Sequence, residues 1–163
     1  MGQAWNKVKV IPRITQAELA TQIASLVNNH NQLRYTLSAG RVLNGPIIYM
    51  VELDGDAIMG CIGLKKLRMR TFWELCHLCV HPKYRGLRLA PKLVEAAYKR
   101  IPTGNAWATI REDNIPSIRT FLRCDFDISS KFKSSNKKYF LVVMMRERKS
   151  GRPKQEALHT SHS

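Results

Sequence analysis

The chain reads as one mixed α/β domain, a mostly antiparallel central sheet of about six to seven strands flanked by helices. Three observations lead there. Apolar runs of strand length alternate along the chain with stretches of helical periodicity. Asp54-Gly55-Asp56 separates two strand-like runs in the manner of a hairpin turn. A basic, glycine-containing turn at residues 80–90 joins an apolar run to an amphipathic one, a strand-to-helix connection of the kind that leads into a parallel crossover.

Residues 7–14 are expected to form a first strand, with Pro12 marking an edge position. Thr15 and Glu18 stand three apart as a capping box, and Leu19, Ile23, Leu26 and Val27 then share one helical face. Residues 28–45, rich in Asn and ending in Asn44-Gly45-Pro46, read as a loop or an irregular second helix. Residues 47–53 and 57–67 form the hairpin, and Lys65, Lys66, Arg68 and Arg70 mark an exposed turn before a strand at 72–80. A helix over 89–100 turns Leu93, Val94, Ala97 and Tyr98 inward, with Pro91 in its first turn, where no donor is lost. Thr103-Gly104 leads into a short strand at 106–110. Asp113 or Asn114 caps a helix running to about Arg123, and residues 138–145 are a last apolar strand. Residues 1–146 are expected to form the domain, and 147–163, polar and aperiodic, a basic flexible tail.

At 163 residues and 44% hydrophobic content the chain suits one core. No apolar run reaches membrane-span length and no signal-peptide pattern opens the sequence, so the expectation is a cytoplasmic protein without a membrane partner. The net charge of +15 is unevenly spread: residues 131–154 carry nine bases against one acid, Glu147. Such a surface serves an acidic cofactor, an acidic protein or nucleic acid, or simply solubility. Cys76-His77-Leu78-Cys79 has C-x-x-C spacing, but no second pair follows at zinc-site distance, and strict strand alternation sends Cys76 and Cys79 to opposite faces. No metal site is expected, and Cys61, Cys76, Cys79 and Cys124 read as small buried apolar residues. Trp5, Trp73 and Trp107 are scattered and form no stacking platform for bases.

The turn after the strand at 72–80 places backbone N–H groups and a helix N-terminus where phosphate binds. With the element order, two blocks resemble the GCN5-related N-acetyltransferase (GNAT) superfamily over roughly residues 8–146. Leu78 to Ala90 is similar to the family's acetyl-CoA pyrophosphate loop, with Arg85 and Ala90 at the ends of its pattern and Gly86 an additional glycine. Asn114 to Phe126 is similar to the segment that begins with Asn and lies beside the pantetheine arm. The resemblance implies a GNAT-like fold and an acetyl-CoA-dependent N-acetyltransferase. It implies Lys83, Arg85, Gly86, Leu87, Arg88, Leu89 and Ala90 at the pyrophosphate, Leu78, Cys79 and Val80 beside the cofactor, and main-chain N–H groups near Leu78 and Val80 at the developing oxyanion. Asn114 would bond the pantetheine amides or merely cap its helix, and Phe121 would lie near the cofactor sulfur.

Two departures stand out. Arg88 occupies the position of a usual glycine: it fits if its φ is helical, with the guanidinium on phosphate, or else the cofactor site is weakened. Phe121 replaces a frequent tyrosine and has no proton to donate. For the base that frees the attacking amine, Glu74 is the first candidate and His77 the second, and strict alternation puts them on opposite faces. The alternative for Glu74 is a solvent-facing strand residue, and His81 reads as structural. The expected activity is acetyl transfer to a primary amine of an unidentified acceptor, a small molecule or a protein. The rival is a GNAT-fold module associated with nucleic acid, its acetyl transfer weak or lost.

Overall fold

The capping box closes as expected. Thr15 Oγ1 accepts the Glu18 N–H at 3.2 Å, the Thr15 N–H donates to Glu18 Oε2 at 2.8 Å, and helix α1 runs Gln16–His30. The computed structural model describes residues 13–147 apart from 32, 69, 70 and 137. The strand expected at 7–14 lies outside the described residues up to position 12, and Arg13 and Ile14 belong to no strand. The expected tail likewise lies outside them, Glu147 excepted.

Of the ambiguous 28–45 segment, the first residues complete α1, Asn31 and residues 33–38 are irregular, and Ala39–Asn44 forms a short helix α2 capped by the Ser38 side chain. Strands β1 (Ile47–Asp54) and β2 (Ala57–Lys66) form the hairpin around Gly55, and β3 (Phe72–Val80) pairs antiparallel with β2. Helix α3 (Leu89–Lys99) crosses over to β4 (Asn105–Arg111), which lies parallel to β3, and α4 (Ile115–Arg123) follows. The strand Asp127–Lys133 (β5) was not foreseen, because all seven residues are exposed and their pattern shows no apolar face. It pairs with β6 (Phe140–Arg146) at the sheet edge, where Lys131 and Lys133 lie over the Phe140 ring and oppose further strand addition. The sheet order is β1-β2-β3-β4-β6-β5, antiparallel except for β3 and β4.

Two cores sandwich the sheet. Ile62, Leu64, Leu75, Leu93, Val94, Phe121 and Met144 join one face to α3 and α4. Ile23, Leu26, Val27, Cys61 and Cys79 join the other face to α1, with Val42 of α2 packed beside them.

Strict alternation fails in β3, with consequences for the site. Cys61 pairs with Cys79 but Gly63 with Cys76, so one residue of β2 opposes two of β3, a β-bulge at His77 and Leu78. His77 adopts φ 54°. The extra residue resets the pleat, and Cys76 and Cys79 therefore share the α1 face instead of occupying opposite ones. The same reset corrects the second expectation from alternation. Glu74 pairs with Lys65, two residues from Gly63 on the α1 face, and the His77 ring stacks on Tyr49 of that face. Glu74 and His77 face the same way.

Gly104 holds the approach to β4. Its φ is 94°, and a Cβ there would overlap the Thr71 carbonyl, which accepts the Asn105 N–H at 2.9 Å. Gly104→Ala should lower unfolding free energy by about 2–4 kcal/mol through left-handed strain plus overlap. Denaturant titration measures this, and a loss of less than about 0.5 kcal/mol, an ordinary surface change, would show that the turn tolerates a side chain.

Candidate active site

Strands β3 and β4 pair over only three positions, Phe72 with Asn105, Trp73 with Ala106 and Glu74 with Trp107. Beyond Glu74 they diverge, because the bulge bends β3 away. The Leu78 carbonyl accepts from Asn31 Nδ2 at the end of α1, 3.4 Å away. The fork holds a cavity of about 560 Å³. Its walls include Leu75, Leu78, Ala108 and Phe121 of the α3/α4 core, and also His77, His30, Asn31 and Leu33 on the α1 side. The cavity therefore passes through the sheet, with Glu74 at the crotch of the fork.

At one end of β3 lies the basic turn. His81 Nδ1 accepts the Lys83 N–H at 3.2 Å and caps the 3-10 turn Pro82–Tyr84, the structural part expected of it. Tyr84 then anchors the turn to the hairpin through Asp54 at 2.9 Å. The chain reverses through Gly86 (φ 83°) and Arg88 (φ 57°, ψ 27°) into α3. The N–H groups of Gly86, Leu87, Arg88, Leu89 and Ala90 donate to no other described residue. No acidic side chain occupies the first turn of α3, so the positive helix end is unneutralised and suits an anion. The side chains of Leu78, Cys79, Val80 and Leu89 go to core packing, which leaves their main chain for any ligand. Arg85 follows the 3-10 turn, and the Lys83 ammonium lies 5.2 Å over the Tyr84 ring.

Arg88 corrects the condition set for it, since its φ is left-handed and not helical. It holds a conformation that glycine adopts freely, at a cost of about 1–2 kcal/mol for arginine. Its side chain makes no capping hydrogen bond.

On the α1 side, Glu74 reaches Lys65 Nζ at 4.0 Å and lies beside Trp107, whose buried indole N–H has no partner among the described residues. His77 is held from both ring nitrogens, by Tyr49 Oη at 2.6 Å from Nδ1 and by Tyr35 Oη at 3.4 Å from Nε2. Burial, then the Lys65 charge, lowers the His77 pKa below the usual imidazole value, and burial raises that of the Tyr49 phenol. Burial also pushes the Cys76 thiol up to about 12 and Cys79 to about 11, so neither is a thiolate nucleophile at neutral pH. Tyr35 and Tyr49 were not picked out in the sequence, where each reads as an ordinary loop or strand aromatic.

Asn114 caps α4, its Oδ1 accepting the Ser117 N–H at 3.2 Å, and also lines the cavity. The capping reading thus holds without excluding a role for its amide N–H₂. Phe121 is buried, edge-on to Phe126 with centroids 5.0 Å apart, and closes the α4 side of the cavity.

A forked parallel pair in a mixed sheet, with N–H groups beyond one strand end that have no acceptor among the described residues, gives a ligand both a cleft and hydrogen-bond donors. Residues 17–126 match the acetyltransferase (GNAT) family, and the chain belongs to it. No curated protein matches the chain. Among solved structures, an aminoglycoside 6'-N-acetyltransferase complexed with coenzyme A is similar at 16% identity and TM-score 0.67, over 79% of this chain and 90% of that one. The ribosomal-protein-S18-alanine N-acetyltransferase from Escherichia coli matches at 10% identity and TM-score 0.64, over 78% and 86%. Arabidopsis thaliana NAA60 with a bisubstrate analogue matches at 15% and 0.65, over 78% and 91%. At these identities the likeness is one of fold. Among the described residues no helix is long and apolar enough to cross a membrane.

Two outcomes follow from the site's own strain and charge. Arg88→Gly should leave stability unchanged or raise it by up to about 1 kcal/mol, relief of left-handed strain outweighing unfolded-state entropy. A clear loss in thermal unfolding would mean the arginine side chain holds the turn. The lowered His77 pKa predicts a pH effect with a definite sign. Below the unfolded imidazole's pKa, near 6.5, the unfolded chain binds a proton that folded His77 resists, so stability is present above that pH and falls below it. Unfolding curves from pH 7.5 to 5.5 should show this fall in the wild type and a smaller one in His77→Asn.

Proposed function

We propose that the protein transfers the acetyl group of acetyl-CoA to a primary amine that reaches Glu74 from the α1 side of the sheet. The observation that carries this is the cavity through the sheet, with unpartnered N–H groups at the end of β3 and a carboxylate at the fork. The residues present fit the cofactor. Gly86 to Ala90 offer five N–H donors to a pyrophosphate, with Arg85 and Arg88 adding charge. The apolar wall of Leu75, Ala108 and Phe121 suits an extended arm, and the Asn114 amide is placed for its polar groups. Bound acetyl-CoA supplies an activated thioester.

An ammonium cannot attack a thioester, so a group on this chain must accept its proton. Glu74 is the carboxylate placed for this, directly or through one water, while Lys65 orients it from 4.0 Å. The exposed N–H edge of β3 beyond Glu74, near Leu78 and Val80, provides donors for charge developing on the acyl oxygen. Holding both substrates in one cavity supplies the proximity that the reaction otherwise lacks.

Titration calorimetry with acetyl-CoA should show binding that Arg85→Ala weakens, and Gly86→Val should abolish it. No binding at high micromolar concentration would end this reading. In an amine screen, Glu74→Gln should lower kcat by about a hundredfold or more with little effect on acetyl-CoA affinity. Full activity of that variant across pH would remove Glu74 as the base.

A further inference from the structure

The His77 ring joins two phenols in one hydrogen-bonded chain, Tyr49–His77–Tyr35, beside the α1 mouth of the cavity. The bulge puts the ring there: at φ 54° His77 turns to the same face as Cys76 and stacks on Tyr49 with centroids 5.9 Å apart. Tyr35 belongs to the irregular segment 33–38, whose first residue, Leu33, lines the cavity. The segment is tied at three points. Arg34 donates to Ser135 Oγ at 2.8 Å, Leu37 exchanges two hydrogen bonds with the Asn28 side chain, and Tyr35 meets His77. The Arg41 guanidinium lies 5.2 Å over the Tyr35 ring and holds it from the far side.

One placement of protons gives the Tyr49 hydroxyl and the imidazole N–H a protein acceptor each. The half-buried Tyr49 hydroxyl has no acceptor among the described residues other than His77 Nδ1. If Nδ1 carried the proton, the Tyr49 O–H would have no protein acceptor. An imidazolium would leave it in the same position, and burial beside Lys65 opposes that charge, with Cys61 and Cys76 neutral nearby. Tyr35 is under no such constraint, because it is exposed and its own O–H reaches water.

We propose that Tyr49 donates to Nδ1 and fixes His77 as the Nε2–H tautomer, so that the imidazole donates to Tyr35 and latches segment 33–38 beside the acceptor mouth. His77 is then a positioning residue with both nitrogens committed, and the proton-accepting role falls to Glu74 alone. The tautomer and the latch stand on hydrogen bonds within the folded chain. Only the word acceptor rests on the acetyltransferase reading.

The test uses the full-length protein without acetyl-CoA, labelled with ¹⁵N-histidine. Long-range ¹H–¹⁵N spectra at neutral pH should show His77 protonated at Nε2 alone. Tyr49→Phe should move the Nδ1 resonance toward that of a free imine nitrogen, and Tyr35→Phe should quicken exchange of the Nε2 proton. A wild-type His77 protonated at Nδ1, or an Nδ1 signal unmoved in Tyr49→Phe, overturns the assignment. Hydrogen exchange at the Leu37 amide should quicken in Tyr35→Phe and in His77→Asn, asparagine being chosen because it tolerates positive φ; unchanged exchange in both overturns the latch. With an active amine in hand, His77→Asn should raise its KM by about fivefold, the worth of one neutral hydrogen bond, and keep the acidic limb of the kcat profile. Loss of that limb would make His77 the base. Failure of acetyl transfer in every variant would remove the proposed function and leave the NMR result standing.

Discussion

The separation of β3 from β4 beyond Glu74 and Trp107 deprives adjacent strands of the ladder bonds that normally hold a parallel pair, and the rest of the molecule is arranged around that loss. An unmade backbone hydrogen bond in a buried place costs about 1–3 kcal/mol, so the gap needs local compensation. The bulge at His77 lets β3 stay paired with β2 on both sides of a one-residue register shift while bending away from β4. Asn31 supplies a donor to the Leu78 carbonyl that β4 no longer reaches. Meanwhile β4 is held from its other side by six paired positions with β6, so it does not follow β3. The groups that stay unpaired line a cavity, where a ligand's amides and carbonyl can meet them.

The turn at the end of β3 extends the same logic to charge. A non-glycine residue in the left-handed region is uncommon and costs stability, yet Arg88 sits there at the first turn of α3. The geometry leaves the N–H groups of residues 86–90 without an acceptor among the described residues, and the arginine adds a positive charge at the same spot. Lys92, one turn into the helix, is neutralised by Glu52 at 2.8 Å. The charge at the turn therefore comes chiefly from the helix end and from Lys83, Arg85 and Arg88.

Much of this was legible in the sequence because the signals were local. Thr15 with Glu18, the Asp54-Gly55-Asp56 turn, Pro91 and Asn114 each act within three or four residues and formed what their types prescribe. The fork was legible only through family likeness, since no property of 72–80 or 106–110 says that two strands will stop pairing. Strand β5 was missed because an edge strand exposed throughout has no alternation to read. The bulge was missed because alternation was extended unbroken through Cys76 and His77, and a single inserted residue reverses every side chain beyond it. That error hid the shared face of Glu74 and His77, and with it the partners Tyr49 and Tyr35, which lie 28 and 42 residues from His77 in sequence.

The two mouths of the cavity differ in what they can do with protons. On the α3/α4 side Leu75, Ala108 and Phe121 make an apolar stretch of wall, and Phe121, locked edge-on against Phe126, has nothing to donate. On the α1 side stand Glu74, His77, Tyr49 and Tyr35, all titratable or hydroxylic. Amide formation from an ammonium releases two protons, and the leaving thiolate needs only one of them. On the proposed reading, Glu74 on the amine's side takes a proton from the nucleophile, and Phe121 gives none to the leaving group. A CoA thiol leaves well enough without an acid, so the replacement of tyrosine by Phe121 removes assistance at the less demanding half of the reaction. On the proposed reading the demanding half is deprotonation of the amine, and of the two carboxylates in the cavity wall Asp113 is held by two hydrogen bonds from Arg111, whereas Glu74 meets Lys65 only at 4.0 Å.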